Sequence, residues 1–157
     1  MVLFLVAIAI GSRIALIEHM WNGRYSIGEF HVTRLKTIAA IPDRDKTKRP
    51  KMLEVCLKYA DKIYVTSDNP RSEDPEEIIK DIMVGINGSK TPVKVIVNRI
   101  EAIKYAISIA QAGDIIVLAG KGHETYQILN SGTIRFDERE VIAKALVDHP
   151  EEVVVTE

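Results

Sequence analysis

Three polar clusters hold the side chains of this sequence that are able to do chemistry. The first is "SDNPR" (Ser67 to Arg71), where Asp68, Asn69 and Arg71 crowd a connection that needs only one capping residue if it merely joins a strand to a helix. Arg71 offers a planar fork of donors suited to a carboxylate or phosphate, Asn69 a donor and an acceptor, and Asp68 an acceptor for an ammonium. Together these groups match an amino acid. In the second cluster, "GKGHE" (Gly120 to Glu124), Gly120 and Gly122 let backbone come close to a ligand, and Glu124 adds a carboxylate for a second amino group. The third is "DRDKTKRP" (Asp43 to Pro50). Taken singly, an Asn-Pro turn is usually only a turn, "GKG" only a loop, and a lone His123 only a hydrogen-bonded structural group. Their joint placement is what argues for a ligand.

That placement follows from the elements around them. "KRPKMLEVCLKYA" (Lys48 to Ala60) has Met52, Leu53, Cys56, Leu57 and Ala60 at helical spacing, with Pro50 tolerated in the first turn, and the strand-like "KIYVTS" follows it. "EDPEEIIKDIMVGI" supplies Asp74 as N-cap, Pro75 at the first helical position and two glutamates that favour the helix dipole. Next come the strand "VKVIVN", the amphipathic helix "RIEAIKYAISIAQAGD" closed by Gly113, and "IIVLAG", a continuous apolar run typical of a parallel strand buried on both faces. "TYQILNSGTIRFDE" reads as a short irregular or hairpin segment and "DEREVIAKALVDH" as a last helix. Strands alternating with helices through short connections predict an α/β, Rossmann-like fold, a mostly parallel doubly wound sheet with helices on both faces. Ligands gather at the carboxyl ends of such strands. "SDNPR" and "GKGHE" both follow strands, and "DRDKTKRP" does too if "KTIAAI" (Lys36 to Ile41) is one.

Composition sets the outer limits. At 157 residues, 46% hydrophobic and 27% charged, the chain has enough apolar material to fold as one unit around its own core. A formal net charge of -1 provides no global field to recruit nucleic acid or an anionic membrane. The one cysteine, Cys56, lies in a helical pattern and reads as a small buried hydrophobe, consistent with a reducing, cytoplasmic setting. The N-terminal run "VLFLVAIAI" (Val2 to Ile10) falls well short of the roughly 20 residues of a membrane span and lacks the flanks of a signal peptide, so it reads as a buried strand.

"DRDKTKRPKM", "VTSDNPRSEDPEEIIKDI" and "AGKGHETYQ", in this order, together with "FDERE" (Phe136 to Glu140), resemble the C-terminal domain of the Mur ligases. Within that family they are most similar to the branch that adds meso-diaminopimelate to UDP-N-acetylmuramoyl-L-alanyl-D-glutamate in peptidoglycan precursor synthesis. The resemblance divides the chain into an unassigned segment 1–41, an edge strand or rearranged region; the amino-acid-binding domain 42–150; and a tail 151–157. It implies a Rossmann-like domain that clamps the incoming amino acid against a central ATP-binding domain. Carried over position by position, it makes Arg44 a carboxylate ligand of the amino acid. Asn69 and Arg71 then hold its distal end, Asp68 and Pro70 shape the turn, Gly120 contributes a backbone contact, and Glu124 makes a salt bridge to an amino group. Lysine-adding relatives bind a side chain without the second carboxylate, so Arg71 argues for diaminopimelate. No residue of this chain is assigned a catalytic or metal-binding role. ATP and Mg2+ belong to the complete ligase, and the UDP-N-acetylmuramoyl dipeptide is met through domains this sequence lacks.

The departures from the family pattern carry their own expectations. The glycine-rich lead into the aspartate-arginine motif is replaced by "IAAIP", and "EHMWNGRYSIGEFHVTRL" resembles no familiar segment of the family. No G-x-x-x-x-G-K-[ST] loop occurs anywhere, so no phosphate cradle exists to activate a carboxylate, and the chain alone is expected not to ligate. Two functions stay open: the amino-acid-binding domain of an ATP-dependent amide ligase, or a stand-alone, non-catalytic module that binds an amino acid or peptide, a remnant of such a ligase. A nucleotide-dependent oxidoreductase is disfavoured because no G-x-G-x-x-G opens a helix after a strand.

Overall fold

A computed structural model describes residues 46–111, 114–121 and 124–148 in full, and the backbone alone of 6–10, 34–40 and 153–156. In chain order the elements are β1 (Val6–Ile10), β2 (Arg34–Ala40), α1 (Lys48–Tyr59), β3 (Lys62–Thr66), α2 (Pro75–Met83), β4 (Val93–Val95), α3 (Arg99–Ser108), β5 (Asp114–Ala119), β6 (Tyr126–Leu129), β7 (Gly132–Arg135), α4 (Glu138–Val147) and β8 (Val153–Thr156). A 3-10 turn, Val84–Ile86, continues α2.

The helix starts are where the capping residues put them. The Asp74 carboxylate accepts the Glu76 N–H at 2.8 Å, with Pro75 and both glutamates in the first turn of α2. Asn98 accepts from Ile100 and Glu101 at the head of α3, and Asp137 from Arg139 at the head of α4. Strand β4 covers only Val93–Val95 of "VKVIVN", and Asn98 at the end of that segment serves as the cap of α3. Helix α3 stops at Ser108, short of Gly113, which lies outside the described residues. Its exit is a turn closed by Asp114, whose carboxylate accepts the Gln111 N–H and whose own N–H donates to the Gln111 carbonyl, both at 2.9 Å.

Six strands form one sheet in the order β4-β3-β2-β5-β1-β8, and β6 and β7 form a separate hairpin. Strands β4, β3, β2 and β5 are mutually parallel. Strand β1 runs antiparallel to both β5 and β8. Within residues 1–41, β1 is hydrogen-bonded on both sides, and among the described residues the outer strands of the sheet are β4 and β8. The expected tail likewise holds a strand: Val153 to Thr156 are all β-branched, and β1 offers them an open row of backbone groups.

Side chains alternate across the sheet as the period of two requires. From β3, Ile63 and Val65 join Leu53 of α1 and Ile79 and Ile82 of α2 in one cluster. Tyr64, between them, joins Ile116 and Leu118 of β5, Ala102, Ile103, Ala106 and Ile107 of α3, and Ile142 and Ala145 of α4 in the other. Helices thus cover both faces, and the fold is the doubly wound, Rossmann-like α/β arrangement. Cys56 packs half-buried against the first cluster, and burial pushes its thiol up to about 11. Gly85 touches α1 so closely that a Cβ there would lie 2.2 Å from the Pro50 carbonyl oxygen. Among the described residues, no helix is long and apolar enough to cross a membrane.

Register aligns the ends of three strands. Ala39 of β2 pairs with Val65 of β3 and with Ala119 of β5, and Ala40 pairs with Thr66. The strands preceding the three polar clusters therefore end side by side, with β2 between the other two.

Candidate functional site

The turn after β3 is fastened on every side before any ligand is considered. Ser67 N–H and the Thr66 hydroxyl both donate to the Val97 carbonyl at 3.1 Å, which ties the strand end to the loop leading into α3. On the other side, the hairpin holds it. The Gln127 side-chain amide donates to the Asp68 carbonyl, Arg71 N–H donates to the Ile128 carbonyl at 3.1 Å, and Ile128 N–H donates to the Asn69 side-chain oxygen at 2.9 Å. Glu73 N–H closes the turn onto the Pro70 carbonyl at 3.0 Å. Under these restraints Arg71 adopts φ 55, the left-handed region that a residue with a Cβ enters at a cost of about 1 kcal/mol or more. Strain of this kind persists where surrounding contacts over-determine the backbone, and such places cluster at ligand clamps.

Beneath the turn lies a buried ion pair that sequence reading did not find. The Lys121 ammonium, fully buried, donates to the Asp68 carboxylate at 2.8 Å and to the Asn69 side-chain oxygen at 3.3 Å, and stands 3.6 Å from Glu124. The rings of Phe136 and Tyr126 flank it at 5.4 and 5.9 Å. The ammonium that Asp68 meets is therefore the chain's own, and the second Asp68 oxygen, also buried, has no hydrogen-bond partner among the described residues. A second buried pair lies nearby: Arg99 at the head of α3 donates to Glu138 at the head of α4 at 2.5 Å and to the Ala119 carbonyl at 3.3 Å. Burial raises the Glu138 carboxyl above its ordinary range against the pull of Arg99, and the charge on Asp68 raises it further. Removing carboxylates and cations from water costs several kcal/mol per ion, so pairs like these survive only where partners answer them. Lys121 was overlooked because "GKG" drew attention to its glycines. The available signal was a lysine between glycines at the end of one parallel strand, facing an aspartate at the end of another.

Of the residues expected to form the site, the structure brings Asp68, Asn69, Pro70, Arg71, Gly120 and Glu124 to one end of the sheet. Arg44 lies outside the described residues, as do Gly122 and His123. Asn69 is nearly saturated, its oxygen accepting from Ile128 and Lys121 and its nitrogen donating to Glu124 at 2.9 Å. Gly120 takes φ 115, which favours glycine. Two groups remain available. Among the described residues, the Arg71 guanidinium makes one hydrogen bond, 3.5 Å to the Asn69 carbonyl, at the edge of what counts as a bond. The acids able to claim it are engaged elsewhere, Asp68 by Lys121 and Glu73 by Arg49 at 2.9 Å and Lys46 at 3.5 Å. Glu124 keeps one oxygen without a partner among the described residues and is one-third exposed. A free guanidinium and a half-free carboxylate, both touching Asn69, suit a ligand with an anionic and a cationic end. Among the described residues no group of three or more His, Cys, Asp or Glu is arranged to hold a metal ion.

Comparison with known proteins agrees with this architecture. The family model described as "Mur ligase, glutamate ligase domain" matches residues 26–122. The chain is 58% identical over 106 residues to the UDP-N-acetylmuramoyl-L-alanyl-D-glutamate--2,6-diaminopimelate ligase of Caldanaerobacter subterraneus, covering 68% of this chain and 22% of that protein. It is 61% identical over 103 residues to ligase 1 of the same name from Clostridium acetobutylicum, covering 65% of this chain and 21% of the relative. A solved structure of a ligase of that name superposes with a TM-score of 0.71 at 42% identity, over 76% of this chain and 25% of the other. The chain thus spans a quarter or less of the length of these relatives. With well over half of its residues matched by the family model, and its parallel sheet carrying the expected loops at the expected strand ends, the chain belongs to the Mur ligase family, in the C-terminal, glutamate ligase domain.

Proposed function

We propose that this chain is the amino-acid-binding domain of an ATP-dependent ligase of peptidoglycan precursor synthesis, working in the cytoplasm. In this reading it binds meso-diaminopimelate for addition to UDP-N-acetylmuramoyl-L-alanyl-D-glutamate. The observation that carries it is the unclaimed Arg71 guanidinium, held in a strained turn beside Glu124 while both neighbouring acids are paired elsewhere. A distal carboxylate meets the guanidinium fork, and an ammonium of the same ligand meets the open oxygen of Glu124. The names of the relatives support diaminopimelate as the amino acid. In the same reading Arg44, four residues beyond the end of β2 in the sequence, serves as a second carboxylate ligand.

In this reading ATP and Mg2+ serve the complete ligase. The sequence of this chain contains no phosphate-binding P-loop, and the described residues contain no cluster suited to a metal ion. Nucleotide, metal and the UDP-linked dipeptide then belong to the central and N-terminal domains of a complete ligase, and the amino-acid-binding unit extends upstream of residue 42 to include β2, in keeping with a family match that begins at residue 26.

Calorimetric titration with meso-diaminopimelate, L-lysine and ATP tests the reading. Diaminopimelate is expected to bind with millimolar affinity, about -4 kcal/mol, because one wall of the site is supplied by other domains. L-Lysine, lacking the distal carboxylate, binds more weakly still. Equal heats for the two amino acids reject diaminopimelate as the preferred ligand.

A further inference from the structure

We infer that Lys121 is the positioning residue of the amino-acid site, the group that aims Asn69 and Glu124 at the ligand without touching it. The inference rests on the diaminopimelate reading and deepens it. The geometry points one way. An asparagine amide can be turned over by half a rotation at little intrinsic cost, and its neighbours decide which end faces where. Here two donors, Ile128 N–H at 2.9 Å and Lys121 Nζ at 3.3 Å, meet the Asn69 oxygen. The amide nitrogen is thereby turned toward Glu124, to which it donates at 2.9 Å. The same Glu124 oxygen lies 3.6 Å from the Lys121 ammonium, so one edge of the carboxylate is anchored and the other is left open.

Charge completes the argument. Lys121 sits closer to Asp68, at 2.8 Å, than to Glu124, and both members of that pair are essentially without solvent exposure. The pair is neutral as a unit. Asp68 absorbs the ammonium's charge, so Lys121 orients Glu124 without cancelling the negative charge the ligand's ammonium needs. Lysine is required because an ammonium can direct its three donors toward Asp68, Asn69 and Glu124 at once. A residue that merely filled the space would leave the Asn69 oxygen held by Ile128 N–H alone and the Glu124 carboxylate held by the Asn69 amide alone, each with one restraint fewer.

The test uses the full chain and two probes, meso-diaminopimelate and pimelate, the same dicarboxylate without either amine. Their affinity ratio reports the Glu124 contact, while the carboxylate contacts are common to both. Lys121→Met removes the ammonium, and the paired variant Asp68→Asn with Lys121→Met also removes the buried charge left behind, so that at least one folded variant is available. Both are compared with Glu124→Gln by chemical-shift titration, with far-UV spectra to verify folding. Diaminopimelate affinity is expected to fall about tenfold, the scale of one hydrogen bond to a charged group. Its preference over pimelate should fall to the level of Glu124→Gln. A folded variant that keeps the wild-type preference, whether its overall affinity is unchanged or lowered equally for both probes, overturns the inference and leaves diaminopimelate binding standing. A wild-type chain that does not distinguish the probes removes the Glu124 contact itself, and this inference with it.

Discussion

Arg71→Lys separates a ligand-binding guanidinium from a structural one. The side chain makes a single hydrogen bond, 3.5 Å to the Asn69 carbonyl, and no ion pair among the described residues, so its contribution to folding is small. The left-handed φ of 55 penalises arginine and lysine alike, because both carry a Cβ, and the bond from Arg71 N–H to the Ile128 carbonyl is indifferent to the side chain. Stability should therefore stay within about 0.5 kcal/mol of the wild type. Binding should not. A guanidinium meets a carboxylate through two parallel charge-assisted bonds, whereas an ammonium on a flexible stem offers a point charge. Losing one such bond costs about 1.5 to 3 kcal/mol, or about 10- to 150-fold in Kd for diaminopimelate. Paired titration and thermal melts of the two proteins measure both quantities, in a polypeptide that also carries the ATP-binding domain if affinity requires it. Undiminished affinity in the variant refutes the ligand role. A loss of stability above about 1 kcal/mol would mean that Arg71 braces the turn instead.

Three further outcomes are expected. Gly85→Ala places a Cβ 2.2 Å from the Pro50 carbonyl oxygen, so α1 and the turn after α2 must part, and Tm should fall by the equivalent of about 1 to 3 kcal/mol; an unchanged melt would contradict the packing. Hydrogen bonding to Arg49 holds Glu73 below its ordinary 4.5, and hydrogen bonding to Arg139 holds Asp137 below 3.8. Depressed carboxylates stabilise the fold above those values and lose their effect as pH falls through the lowered ones, whereas Glu138, raised by burial, acts in the opposite sense. Glu73→Gln should therefore flatten the fall of Tm with acidification, followed by melts from neutral pH to about pH 3, and an equally steep fall would count against the Arg49 contact. Finally, the purified chain given ATP, diaminopimelate and the UDP-N-acetylmuramoyl dipeptide should release no ADP above a blank; turnover that survives repurification would reveal a nucleotide site absent from this account.

Much of this protein is written locally. Asp74 and Pro75 announce α2, Asn98 and Asp137 cap the helices that follow them, and the unbroken "IIVLA" marks a strand covered on both faces, because each signal acts within a turn or over the period of one element. The order of "DRDK", "SDNPR" and "GKGHE" is equally legible and suffices to identify the family. Strand pairing is different, since it depends on which backbone rows are left open once the other strands are in place. For that reason the apolar run that becomes β1 reads as a strand from its residues, while its place antiparallel between β5 and β8, and the pairing of Val153–Thr156 with it, are decided by the sheet. The site divides along the same line. Residue types announce that Asp68, Asn69, Arg71 and Glu124 can bind an amino acid. Which of them are spent inside the protein depends on Lys121, a residue 53 positions beyond Asp68, arriving from the loop after β5 to claim Asp68 and Asn69. Only after those contacts are made are Arg71 and one edge of Glu124 left over, because a buried polar group must find a partner and the fold alone decides which one is within reach.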